Sequence, residues 1–254
     1  MFRPRIIPVL LLRNLGLVKS VKFKDYRYIG DPINAVKIFN DLRADELVFL
    51  DINASNEKRK ISLDFVRKVG DECNMPFAVG GGIRTITDIR EVLNAGAEKV
   101  VINTAASEDP DFITRAAGEF GSSTIVVCID VKKKMLGGEH TFIYSGNKST
   151  SYDPVRFASL MQEKGAGELI IQSIDHDGMM EGYNLELIRK ISNSVTIPVV
   201  ACSGAGKTAH LKEVVETANA SAVAAGSMFV YHGPRRAVLI NYPTHQEIHK
   251  LMHG

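Results

Sequence analysis

The chain has 254 residues, 45% of them hydrophobic and 24% charged, and its 31 basic and 29 acidic side chains leave a formal net charge of +2. That length suits one eight-unit α/β barrel, and the near-balanced charge gives no reason to expect nucleic acid or a membrane surface as partner. No apolar run reaches bilayer length, MFRPRIIP lacks the layout of a signal peptide, and Cys73, Cys128 and Cys202 form no C-x-x-C pair, so a reducing, cytoplasmic setting is expected.

In chain order, RIIPVLLL reads as a buried strand, followed by a long first loop, GLVKSVKF, that carries Lys19. A helix is expected over DPINAVKIFNDLR, a strand over ELVFLDI, a helix over SLDFVRKVGDE and a strand over PFAV. TDIREVLNAG, KVVIN, PDFITRAAGEF and TIVVCID continue the alternation. VKKKMLGGEHTFIYSG then reads as an inserted hairpin turning at Gly137 and Gly138. DPVRFASLMQEKG, ELIIQSI, NLELIRKIS, PVVAC, KTAHLKEVVETA and AVAAG complete eight strand runs. Runs apolar on both faces and separated by helices predict a parallel sheet, and eight of them predict a closed (β/α)8 TIM barrel. With no linker in view, residues 1–254 are expected to form a single domain.

The two halves resemble each other. Glu46 matches Glu168, Gly81 matches Gly204 and Thr104 matches Ser227, at separations of 122 or 123 residues (168 − 46, 204 − 81, 227 − 104). A duplicated half-barrel follows, and in it Leu11 stands where Asp130 stands in the other half.

Several stretches carry chemistry. Gly80, Gly81 and Gly82 end one strand, and Asn103 and Thr104 end the next; Ser203 to Gly206, with Gly226 and Ser227, repeat the arrangement. Such glycines either make tight turns or bring backbone N–H groups close to an anion, and their duplication favours two phosphate sites and an elongated ligand. Asp51 and Asp130 end strands two and five on the same face, and Asp175 and Asp177 follow strand six; each is a reacting group, a helix cap or an ion-pair partner. Arg5, Glu46, Lys99 and Glu168 lie at the opposite strand ends, as surface ion pairs or as a closed ring over the barrel floor. His245, His249 and His253 recur every four residues, but no carboxylate or cysteine is arranged around them as a ligand set, so a frayed terminal helix is expected there. No metal and no cofactor is assigned.

With RIIP, FLDINAS, EKRK, AVGGGIRT, EKVVINTAA, IDVK, YSG, GELIIQSIDHDG and SGAGK in order, the chain resembles the HisF family from about residue 3 to 230. That family is the cyclase subunit of imidazole glycerol phosphate synthase. The resemblance implies a glutaminase (HisH-like) partner docked on the barrel floor, with ammonia travelling up the axis to a bisphosphate ribulosyl-carboxamide. It implies substrate and phosphate contacts at Lys19, Asp51, Gly81, Gly82, Asn103, Thr104, Asp177, Gly178, Gly204, Gly206, Gly226 and Ser227, and an ammonia gate at Arg5, Glu46, Lys99 and Glu168. Of the two catalytic aspartates that it implies, Asp130 is present and the strand-one residue is Leu11. A leucine neither takes nor gives a proton, and loss of a positioned acid or base costs about 10²–10⁴ in rate.

This change, with the altered tail FVYHGPRRAVLINYP, resembles a paralogous branch found with surface-polysaccharide enzymes. There the barrel and its glutaminase supply ammonia to a separate N-acetyl-sugar amidotransferase. The expected function is therefore an ammonia-channelling subunit with impaired cyclase chemistry. The alternatives are an active cyclase of histidine biosynthesis and a scaffold that passes nothing.

Overall fold

Eight short segments rich in β-branched residues form the barrel: β1 (Arg5–Arg13), β2 (Leu47–Asp51), β3 (Phe77–Gly80), β4 (Lys99–Ile102), β5 (Ile125–Lys134), β6 (Glu168–Ser173), β7 (Val199–Cys202) and β8 (Ala222–Ala225). The computed structural model describes residues 3–134 and 137–253, the last three by backbone alone. Each strand pairs in parallel with the next. The sheet closes where β1 meets β8, with Ile6 opposite Val223. The expected (β/α)8 barrel is what forms.

Alternation along the strands divides the apolar side chains between two layers. From β1, Ile7 and Val9 point into the barrel with Val48, Val126, Ile170 and Val200, whereas Ile6, Leu10 and Leu12 join the layer between sheet and helices. The strands are apolar on both faces because helices cover the outside. In α1 (Pro32–Asp41), Ala35, Val36 and Phe39 fill that outer layer; Asp31 caps the helix by accepting the Asn34 N–H, and Pro32 starts it where no intrahelical donor is needed. The other helices are α2 (Leu63–Glu72), α3 (Ile86–Asn94), α4 (Thr104–Glu108), α5 (Asp111–Phe120), α6 (Pro154–Glu163), α7 (Leu185–Ser192), α8 (Thr208–Ala218) and α9 (His245–His253). None of these, among the described residues, is long and apolar enough to cross a membrane.

Three local expectations need correction. The long first loop is an antiparallel ribbon, Gly16–Val21 against Lys24–Gly30, with Val18 opposite Leu11 of β1. The inserted hairpin forms, but Gly137 and Gly138 begin its return strand, Gly137–Ile143, opposite the end of β5; residues 135 and 136 lie outside the described residues. The terminal segment docks rather than frays. Ile248 of α9 is fully buried, and the Tyr242 hydroxyl donates to the Ile6 carbonyl at 2.9 Å. Of the three histidines, His245 Nδ1 lies 2.8 Å from Arg3 Nη1, and the side chain of His253 lies outside the described residues.

Candidate functional site

The barrel axis runs from a charged floor through an apolar middle to a polar mouth. At the floor Arg5 donates to Glu46 and to Glu168, and the Lys99 ammonium sits 3.0 Å from each of the same two carboxylates. Glu46 and Glu168 are buried, and the four side chains of alternating charge close a ring. Burial disfavours the Arg5 charge, but Glu168 and Glu46 outweigh it and hold the guanidinium pKa above its ordinary value. Spacing alone left these residues open between surface pairs and a ring; closure of the barrel makes the ring, because β1, β2, β4 and β6 bring their N-terminal ends to one axis.

Above the ring the bore is lined by valines, isoleucines and alanines, with the thiols of Cys128 and Cys202 among them. Burial pushes the Cys128 thiol well up and the Cys202 thiol to about 11, so both stay neutral at physiological pH. The described residues that pack this layer carry no formal charge.

The mouth opens into a cavity of about 1140 Å³, its open end included. Leu11, Lys19, Asp51, Gly81, Gly82, Asn103, Thr104, Asp130, Asp177, Gly178, Gly204, Gly226 and Ser227 all line it, so the two glycine-rich half-sites of the sequence share one chamber. Gly206 does not line it. A Cβ there would sit 2.2 Å from the Met180 carbonyl oxygen, and the Gly206 N–H donates to His210, so its lack of a side chain serves packing.

The glycines at the chamber are sterically obligatory. Gly82 has φ +65°, and a Cβ would lie 1.8 Å from the Arg59 carbonyl oxygen; Gly204 has φ +109°, and a Cβ would lie 2.1 Å from that of Gly182. In the first half-site the Asn103 amide donates to the Cys128 carbonyl at 2.9 Å, and Thr104 begins α4 while its hydroxyl accepts the Tyr144 N–H.

The charged groups divide into structural and free. Asp51 accepts the Asn53 and Ala54 N–H groups and is gripped by Arg59 at 2.5 and 3.2 Å, so it holds its own loop. Asp175 lies off the cavity and accepts the Lys133 N–H. Asp177 ties down the ribbon, accepting the Ser20 hydroxyl at 2.6 Å and the Phe23 N–H at 3.2 Å; burial raises its pKa. Asp130 is different. Among the described residues its close polar partner is the Cys128 thiol at 3.6 Å, and burial, with the charge of Asp177 adding, lifts its pKa to about 7. Such a carboxyl can act as acid or base near neutral pH.

Lys19 reaches the chamber from the ribbon, almost fully buried, and donates to the Val9 carbonyl at 2.6 Å. Burial lowers its pKa to about 8 against the opposing pull of Asp177. Gly226 makes its seat: a Cβ there would lie 2.4 Å from the Lys19 ammonium. Leu11 shares the chamber wall and lies against Leu50 of β2. Ser203, foreseen with the second glycine run, lines the cavity too, and so do Ser20, Phe23, Tyr26, Arg84, Ser145 and Gln172, which were not singled out. Arg84 and Ser145 had a sequence signal, Arg84 standing directly after the glycine run in AVGGGIRT and Ser145 within YSG; the rest arrive from the ribbon and alternate strand positions.

An enclosed, glycine-rich mouth on a closed parallel barrel defines a small-ligand-binding (β/α)8 barrel. Residues 5–234 match the model of the family described as histidine biosynthesis protein, and the chain belongs to that family, among its HisF-like members. It is 46% identical over 243 residues to a Pseudomonas aeruginosa protein provisionally named imidazole glycerol phosphate synthase subunit hisF2, covering 96% of this chain and 97% of that one. A Vibrio vulnificus protein, provisionally named subunit hisF3, is 43% identical over 253 residues, 99% and 97% of the two chains. The imidazole glycerol phosphate synthase subunit HisF of Caulobacter vibrioides is 44% identical over 230 residues, 90% and 88% of the two chains.

Proposed function

We propose that this barrel is the ammonia-handling subunit of a glutamine-dependent amidotransferase, with its cyclase chemistry impaired. A HisH-like glutaminase docks on the floor, in the cytoplasm. Ammonia enters beneath Arg5, Glu46, Lys99 and Glu168, crosses the bore and leaves at the mouth, where a separate N-acetyl-sugar amidotransferase of surface-polysaccharide synthesis takes it up.

One observation carries this reading: the charged floor and uncharged bore stand complete beneath a mouth in which Leu11 replaces an acid. An apolar bore rejects ammonium, whose charge cannot be stripped of water there, and accepts neutral ammonia. The mouth retains Lys19, the two glycine cradles at Gly81–Gly82 and Gly178–Gly204, Asn103, Thr104, Gly226 and Ser227, which suit a ligand with a phosphate at each end. Asp130 retains a pKa of about 7, but it has no second proton-exchanging group across the chamber at Leu11.

The test is reconstitution with the glutaminase, glutamine and the bisphosphate carboxamide. The proposal expects glutamine hydrolysis with slow or no imidazole glycerol phosphate release. Brisk turnover would favour the second reading, an active cyclase of histidine biosynthesis, which draws its support from the preserved Asp130 seat.

A further inference from the structure

Arg84 is the chamber's one unforeseen cation. It follows Gly81 and Gly82 in sequence and shares the chamber wall with them and with Asn103 and Thr104. Its protein partners hold it loosely. The guanidinium carbon lies 5.7 Å from the Tyr144 ring centre, Nη2 is 3.5 Å from the Tyr144 hydroxyl, and Nη1 is 3.7 Å from the Glu108 carboxylate. Glu108 is engaged more closely by Tyr144, whose hydroxyl donates to it at 2.6 Å. The Arg84 side chain is 35% exposed, but its Nε is buried and has no acceptor among the described residues. The contrast within the same molecule is Arg59, whose guanidinium closes on Asp51 at 2.5 Å.

A buried guanidinium donor without an acceptor is costly and rare in a finished structure. A planar fork of N–H groups beside two close-approach glycines is complementary to a phosphate, whose oxygens accept in parallel. The repeat does not supply this group twice. The position matching Arg84 in the second half is Lys207 (207 − 84 = 123), which directly precedes α8 and does not line the chamber. There the cation is Lys19, delivered by the ribbon onto Gly226.

We infer that Arg84 is the anion-specifying residue of the first half-site, where it holds the phosphate end of a ligand by its guanidinium fork, and that Lys19 serves the second half-site as a point charge. This rests on the reading of the mouth as a two-phosphate chamber. It makes the first end selective for a phosphate over an uncharged hydroxyl, and it makes the two ends chemically unequal despite the duplicated fold.

The experiment is titration of the ¹⁵N-labelled full chain with inorganic phosphate, following the amides of Gly81, Gly82 and Thr104 against those of Gly178, Gly204 and Ser227. Arg84→Gln should weaken phosphate at the first set by roughly tenfold or more, the scale of a charge-assisted hydrogen bond, and leave the second set unchanged. Arg84→Lys should recover part of the loss. The second set also reports folding of each variant. Equal first-set affinity in Arg84→Gln, or equal loss at both sets, would overturn the assignment while leaving the phosphate chamber standing. No response at either set in the unaltered protein would overturn both.

Discussion

Leu11 and Asp130 occupy equivalent places in the two halves of the barrel. Each is an inward-facing residue at the point where its strand leaves the barrel for an antiparallel partner, Leu11 opposite Val18 and Asp130 opposite Phe142. One seat therefore holds a carboxyl with a pKa of about 7, and the other a hydrocarbon. The asymmetry lies in one side chain, since the backbone around both seats is built alike.

Restoring the acid is the direct test of that statement. Leu11→Asp should raise turnover of the bisphosphate carboxamide with ammonium salt by about 10²–10⁴, the usual worth of a positioned acid or base. No gain in a product-release assay would mean that the chamber differs from a working one in more than this residue.

At the floor, Lys99→Met keeps length and removes charge, leaving Glu46 and Glu168 with Arg5 alone. Lys99 is only 22% exposed, so a loss of about 1–3 kcal/mol is expected in urea unfolding, the cost of buried carboxylates losing a partner. In the complex with glutaminase the same variant should leak ammonia to solvent. Unchanged stability and unchanged coupling would reduce the ring to surface ion pairs.

Asp130 should set a pH dependence of stability. Its folded pKa of about 7 exceeds the unfolded value of about 3.9, so between these limits the folded state holds the proton and the unfolded state does not. This contribution to stability is therefore present below about pH 4, falls as pH rises toward 7 and is flat above. Asp130→Asn removes the titration: the variant should gain on the parent progressively from pH 4 to 7 in thermal unfolding. A difference independent of pH would contradict the burial of an ionising carboxyl.

Lys19 should give the second half-site a pH response that the first lacks. Sulfate keeps its charge across the range, so its affinity at Gly178 and Ser227 should fall as pH rises through about 8, where the buried ammonium loses its proton. Lys19→Met should abolish both the affinity and the slope at this end and leave affinity at Gly81 and Thr104 unchanged. Parallel pH profiles at both ends would count against Lys19 as the cation.

Much of this was legible before folding. The eight strands fell where β-branched runs placed them, and the glycines of the chamber were legible because a backbone that must approach another backbone tolerates no Cβ. Asp51 was ambiguous, since a strand-end carboxylate reads alike as a reacting group and as a loop anchor. The Arg59 contact makes it the anchor. Gly206 misled for a related reason: a glycine beside a carbonyl of its own protein and one beside a ligand carry the same letter.

The sequence by itself determined the periodic pattern, hence the barrel and its duplication, and it determined that the strand-one position equivalent to Asp130 is a leucine, because these depend on local side-chain chemistry and spacing. The tertiary structure decided what meets across the axis. Four charges separated by up to 163 residues close one ring, Lys19 finds its seat on Gly226, and Arg84 is left short of acceptors at the chamber wall. Those outcomes depend on barrel closure, on burial and on which groups lack partners, and none of these is a property of a segment read alone.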